Sequence, residues 1–179
     1  MESLFTSPPC FYADSRDNIP GFADSPFGEI IVARTWDGIC DLQFLGFNRM
    51  GVIHELAQRW GTYTPTTQSD EMANTVQKVL FEGYDHPLTL DLRGTEFQLK
   101  VWKAIMKVPF GETISYQQLA ANIGQPEAVR AVATAVGQNP MAVIIPCHRI
   151  IHKDGTIGEY HWGRELKEKL LEWEKARKS

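Results

Sequence analysis

The chain has 179 residues, 43% hydrophobic and 22% charged, with a formal net charge of -4. That is long enough for one full domain or two small ones sharing a core, and ordinary for a soluble globular protein. The apolar run closest to the thiol discussed below, Met141 to Ile145, is far short of the roughly 18 residues that a membrane span requires, so a bilayer-crossing protein is excluded.

The amino terminus, MESLFTSPPCFYADSRDN, has neither a cationic start nor an apolar h-region, and no secretory signal is read there. Three cysteines at wide spacing, Cys10, Cys40 and Cys147, do not make a disulfide framework. The expected compartment is a reducing cytoplasm, or a nucleus if the source has one.

Pro and Gly punctuate the first 28 residues. GEIIVARTWDGICDLQF then reads as two strands around an Asp37-Gly38 turn, with Cys40, Leu42 and Phe44 alternating with Asp41 and Gln43, which makes Cys40 a core residue. Helical stretches follow near 49–60 and 69–82, and the alternation in PLTLDLRG predicts a third strand. At about residue 93 both charge and periodicity change. Residues 1–92 hold 5 Lys+Arg against 13 Asp+Glu, and residues 93–179 hold 13 against 9. A mildly basic second half suits phosphates, although scatter on a solvated surface gives the same imbalance. The domain boundaries expected are 1–92 and 93–179.

In TEFQLKVWKAIMKV, Thr95 is the expected N-cap, Phe97, Val101, Ala104, Ile105 and Val108 share a face, and Gly111 ends the segment. SYQQLAANIG and PEAVRAVATAVGQN predict two short helices joined by Gly124-Gln125, with Pro126 in the first turn of the second. This pair has the form of a helix-turn-helix, but many such hairpins bind nothing. Val129, Val132 and Val136 form the buried stripe of the second helix; Ala128, Ala131, Ala133, Thr134 and Ala135 leave the rest of it thin. Arg130, the only Lys or Arg between Lys107 and Arg149, is either a solubilising surface residue or a cation inserted into a groove.

VIIPCHRII places Cys147, His148 and Arg149 side by side within apolar chain. A thiol becomes a nucleophile when something favours its thiolate. Direct proton transfer to His148 does not follow from adjacency, because successive side chains of extended chain point apart, so a bridging water or a tight turn after Pro146 is required. An orienting carboxylate is expected behind the imidazole. On the terminal helix, RELKEKLLEWEKARK, Glu174 falls on the arc of Leu166, Leu170 and Trp173, while Glu165, Glu168 and Glu172 face away; Glu174 is either that carboxylate or a side chain snorkelling at the helix end. His148 and His152 are spaced H-x-x-x-H, but the Lys153-Asp154-Gly155 turn and the lack of CxxC or HExxH argue against a metal.

Taken together, SYQQLA, the PEAVRAV helix, Asn139-Pro140, IIPCHR, DGT, GEY and a leucine-rich terminal helix ending in an acid resemble the O6-alkylguanine-DNA alkyltransferases, or methylated-DNA:protein-cysteine methyltransferases, over residues 93 to 176. The resemblance implies an α+β fold: an RNase H-like sheet-plus-helix domain, then a mostly helical, winged-helix-like domain containing the helix-turn-helix. It implies a repair protein that moves an alkyl group from O6-alkylguanine, and from O4-alkylthymine, to its own Cys147 in a single turnover. By the same resemblance His148 is the water-relayed base, Glu174 its orienting carboxylate, and Asn139 the amide tying the helix pair to the active-site loop. Tyr116 is the phenol that donates a proton toward the guanine or rotates the phosphate. Arg130 is the finger filling the gap in the base stack, on a helix whose Ala128 and Ala131 admit it to the minor groove, and Tyr160, Glu159, Pro146 and Met141 wall the base pocket. The partner implied is double-stranded DNA bearing alkylated guanine, with no metal, cofactor or membrane, and the protein a monomer. Glu159 departs from the Gly or Asn often found before that Tyr and places a negative charge at the pocket wall. Rival readings are a non-catalytic alkyltransferase-like lesion binder, against which Cys147 stands, a helix-turn-helix regulator, and a cysteine hydrolase.

Overall fold

The computed structural model describes residues 20–46, 48–61 and 67–178, with the Thr67 side chain outside that description. Cys10 and the rest of the amino-terminal stretch lie outside these residues. The fold mixes α and β and divides into two compact units, one ending at Arg93 and one beginning at Gly94.

In the first unit, β1 (Gly21–Ser25), β2 (Gly28–Arg34) and β3 (Ile39–Phe44) form an antiparallel meander in the order β1-β2-β3. β2 and β3 are the two strands expected around Asp37-Gly38. β1 lies in the stretch that sequence punctuation left unassigned. Its backbone is held by a helix: the Phe22 N–H donates to Asp70 Oδ1 at 2.8 Å, and a Cβ on Gly21 would stand 1.8 Å from the Ser69 carbonyl oxygen, so only glycine lets α2 (Thr67–Phe81) approach. α1 (Arg49–Trp60) sets Leu56 among Ile31, Ala33 and Cys40. Cys40 is therefore core, as expected. The polar side of β3 is not in water, however, since Asp41 is fully buried and accepts from Arg59, Trp60 and Gln43.

The third strand predicted over PLTLDLRG does not form. Leu90 makes one isolated parallel bridge with Ile39, through Ile39 N to Thr89 O and Asp91 N to Ile39 O, both 2.8 Å. Leu90 and Leu92 are buried as the alternation predicts, but Asp91 between them is buried as well, its carboxylate taking Thr35 and Arg93 as partners.

In the second unit, α3 (Glu96–Ile105) starts at a complete capping box, Thr95 accepting from Gln98 N and Gln98 accepting from Thr95 N. Its buried face is Val101, Trp102 and Ile105, and the Trp102 indole donates to Ala135 O at 2.8 Å. α4 (Tyr116–Asn122) opens on a second capping box, Ser115 with Gln118. α5 (Val129–Gly137) begins three residues later than the sequence predicts. Pro126 opens a turn closed by Ala128 N donating to Gln125 O, and Gly124 takes φ 73, so residues 123–128 are all connection. Ala135, read as surface, is buried with Val132 and Val136.

β4 (Ile114–Ser115) and β5 (Ile150–Ile151) pair in parallel, and α6 (Arg164–Arg177) buries Lys167, Leu170 and Glu174 along one face. Among the described residues no helix is long and apolar enough to cross a membrane.

Candidate active site

α5 ends at Gly137, and Asn139 takes over two residues on. Its carboxamide closes the following loop at both ends: Oδ1 accepts from Met141 N at 2.8 Å, and Nδ2 donates to Ile145 O at 2.7 Å and to Cys147 Sγ at 3.0 Å. The loop so closed holds Val143 at φ 65, a left-handed conformation that costs a β-branched residue on the order of 1–3 kcal/mol. Pro146 then leads into a 3-10 turn over Cys147–Arg149. This turn separates thiol from imidazole. Cys147 borders a cleft of about 550 Å³, whereas His148 points toward α6, where Nε2 lies 2.8 Å from Glu174 Oε1.

Glu174 is 1% exposed and accepts from four donors: His148 Nε2, the Nε and a terminal nitrogen of Arg149, and Gly111 N. Burial pushes its carboxyl up, but the hydrogen bonds from His148 and Arg149 outweigh that and hold it at about 2. The ionised carboxylate only accepts, so His148 Nε2 carries the hydrogen. Burial lowers the His148 pKa, so the ring is neutral and its basic lone pair sits on Nδ1. Nδ1 is buried and has no hydrogen-bond partner among the described residues.

Burial raises the Cys147 thiol to about 11; the Asn139 hydrogen bond and the Lys167 charge pull the other way without overcoming it. The resting sulfur is a thiol. The sequence asks for a group that favours the thiolate, and the structure adds that such groups only moderate the burial. The Tyr160 hydroxyl, also buried, has no partner in ordinary hydrogen-bond geometry, yet it too favours the thiolate.

Tyr116, Arg130, Glu159 and Tyr160 line the same cleft as Cys147. Ala128, at the N-cap of α5, and Ala131, on it, lie outside the lining, half-buried and exposed respectively. Met141 and Pro146 are buried and do not line the cleft, Met141 because the Asn139 clamp turns it into the core. His148 and His152 do not converge: one faces Glu174, the other the Tyr116 ring. Among the described residues no group of three or more His, Cys, Asp or Glu could hold a metal ion.

Sequence reasoning missed Lys167. It lines the cleft, is 1% exposed, and donates from Nζ to Ile150 O at 2.7 Å; burial lowers its pKa to about 8. The available signal was its place seven residues before Glu174, two turns along the same helix face.

The site is a buried cysteine in a cleft, next in sequence to an imidazole held by an ionised carboxylate and lined in part by α5 of the α4–α5 pair, and comparison says which class of protein carries this arrangement. Residues 96–176 match the family described as 6-O-methylguanine DNA methyltransferase, DNA binding domain. The chain is 38% identical over 154 residues to the methylated-DNA--protein-cysteine methyltransferase of Mycobacterium tuberculosis (strain ATCC 25618 / H37Rv), covering 86% of this chain and 90% of that protein. It is 44% identical over 153 residues to the bifunctional transcriptional activator/DNA repair enzyme Ada of Escherichia coli (strain K12), covering 83% of this chain but only 43% of that relative's length. Its fold is similar to that of Mycobacterium tuberculosis OGT in complex with DNA, with a TM-score of 0.73 and 37% identity over 88% of this chain and 93% of that one. The chain belongs to the methylated-DNA--protein-cysteine methyltransferase family.

Proposed function

We propose that this protein repairs DNA by transferring the alkyl group of O6-alkylguanine, and of O4-alkylthymine, irreversibly to Cys147. The observation that carries the reading is the unpartnered His148 Nδ1, left with the free lone pair because an ionised Glu174 holds the hydrogen on the opposite nitrogen, one residue from a buried thiol in the cleft. The α4–α5 pair, with β4–β5 beside it, supports a winged-helix-like approach to double-stranded DNA through the minor groove.

An alkyl group on guanine O6 lies inside the duplex, so the nucleotide must be everted at a cost of a few kcal/mol. Arg130, exposed on α5 and bordering the cleft, fills the vacancy in the stack. Ala128 and Ala131 keep the helix thin enough for the groove. With the base in the cleft between Tyr116 and the Glu159-Tyr160 wall, the Cys147 proton passes through a water to His148 Nδ1. The sulfur attacks the alkyl carbon, an S–C bond forms, the C–O6 bond breaks, and its electron pair stays on guanine. Tyr116 gives its phenolic proton to the purine and is reprotonated from solvent once the base leaves. Asn139 holds Sγ in line throughout, and Lys167 stabilises the charge that develops on it. The thioether is stable, so each molecule acts once, without metal or cofactor, as a monomer. Cytoplasm, or nucleus in a eukaryote, is the compartment this reading implies.

Intact-protein mass after mixing with excess O6-methylguanine duplex tests it. One added methyl, located on Cys147 and absent from Cys147→Ala while that variant still binds the duplex, is the expected result. Repeated turnover, or no added mass, overturns the proposal.

A further inference from the structure

The pairing of β4 with β5, Ile114 opposite Ile150 and Ser115 opposite Ile151, delivers the next residue of each strand to neighbouring positions. Those residues are Tyr116 and His152. Their ring centroids stand 5.5 Å apart at an interplanar angle of 45°. The His152 backbone has little freedom to move away, although the residue is exposed. Its main-chain N–H donates to Thr156 O at 2.9 Å, its carbonyl accepts from Gly155 N at 3.0 Å, and Asp154 Oδ1 pins the turn by accepting from both Thr156 N and Thr156 Oγ1.

On its other side the imidazole meets the wall of the cleft. A Cβ on Gly158 would lie 2.5 Å from His152 Nε2, so the ring occupies the space that any side chain at 158 would fill. Gly158 leads directly into Glu159 and Tyr160, which line the cleft together with Tyr116 and His152 itself.

We infer that His152 is a positioning residue: a ring wedged between the Tyr116 phenol and the Gly158–Tyr160 wall that fixes where the phenol stands and how wide the cleft opens beside it. Tyr116 is half-buried and begins α4, so its backbone is already set by the Ser115 cap, and the ring contact with His152 settles the remaining side-chain freedom. The consequence for the reaction rests on the function proposed above, in which Tyr116 meets the everted nucleotide. A wedge of this kind acts by shape, so a phenyl ring should replace the imidazole, whereas a methyl group should not. Misplacing a group that contacts substrate by about 1 Å costs up to about 100-fold in rate, with a smaller effect on binding.

The test compares His152→Ala and His152→Phe with wild type in the full chain. Single-turnover transfer from a methylated duplex should fall about tenfold at saturation in His152→Ala, with the half-saturating duplex concentration changed less than about threefold, and recover to within about twofold in His152→Phe. The ring resonances of Tyr116 should shift in His152→Ala and return toward wild type in His152→Phe. Equal saturating rates in wild type and His152→Ala overturn the inference, as does a His152→Phe variant as slow as His152→Ala. If His152→Ala fails to fold, His152→Phe against His152→Gln carries the same comparison. If wild type itself gains no methyl on Cys147, the function falls, and the resonances alone decide: unshifted Tyr116 signals in His152→Ala overturn the wedge.

Discussion

Glu174 fixes the protonation of its neighbours, because an ionised carboxylate can only accept and so dictates which imidazole nitrogen keeps the proton. Glu174→Gln keeps the shape but lets His148 adopt either tautomer and leaves Arg149 without its charge partner. Transfer should slow between about 100-fold and 10,000-fold, the range of general base catalysis. Stability should fall by about 3–5 kcal/mol as a buried pair is broken, read by urea denaturation at pH 7. At Cys147 the thiol held near 11 should react with iodoacetamide at neutral pH about two orders of magnitude more slowly than a free thiol of ordinary pKa, read site by site in peptide masses. A rate equal to that of a small-molecule thiol would contradict this. Glu159 borders the cleft with an exposed carboxylate, and Glu159→Gly should raise the benzyl-to-methyl rate ratio for O6 adducts; an unchanged ratio removes any role for that charge in adduct choice. Glu174 was legible in the sequence because a helical wheel puts it on the apolar arc. Lys167 was not, since a long cationic side chain is ordinarily solvated and its partner, the Ile150 carbonyl, is revealed only by the fold.

Elements with local signals were read well, and those settled by distant contacts were not. Thr95 caps α3 as the sequence predicts, and Ser115 caps α4 by the same local pattern, because N-caps are decided within four residues. Thr95→Ala should therefore cost about 1 kcal/mol, measured by chemical denaturation. The PLTLDLRG alternation reported the burial of Leu90 and Leu92 but neither that of Asp91 nor the lack of strand pairing, because Asp91 finds its partners in Thr35 and Arg93. β1 was hidden because its support comes from Ser69 and Asp70, nearly fifty residues away. Trp102 was passed over for Ala104 on the same helix, because periodicity does not reveal that an indole will find the Ala135 carbonyl. Trp102→Phe should cost about 1 kcal/mol by removing the indole hydrogen bond to that carbonyl, which Gln138 N still reaches, with the helical signal of the native state unchanged.

For the whole molecule, these groups set opposite slopes of stability with pH. Glu174 titrates near 2 in the fold against an ordinary 4.5, so its contribution is complete above 4.5 and is lost as pH falls toward 2. That carboxyl alone should remove roughly 3 kcal/mol of unfolding free energy across the window, and the loss should be absent from the pH profile of Glu174→Gln. Lys167, held at about 8 against 10.5, binds its proton less tightly in the fold, so stability rises as pH climbs between those values. Cys147, held at about 11 against 9, opposes it over the upper part of that range, since the unfolded thiol ionises first. These three groups alone give a steep slope in acid and partly cancelling slopes in alkali, where Cys40 and Tyr160, also held above their ordinary values by burial, add a further loss as pH rises.

α6 supplies both the carboxylate that orients His148 and the amine beside the sulfur, yet it follows the sulfur in the chain. His148 leaves the ribosome 26 residues ahead of its orienting partner. A nascent or partly folded chain thus carries the sulfur without its relay. In the function proposed above, alkyl acceptance then reports that α6 has docked behind the sulfur, which makes it an assay of that docking as much as of repair.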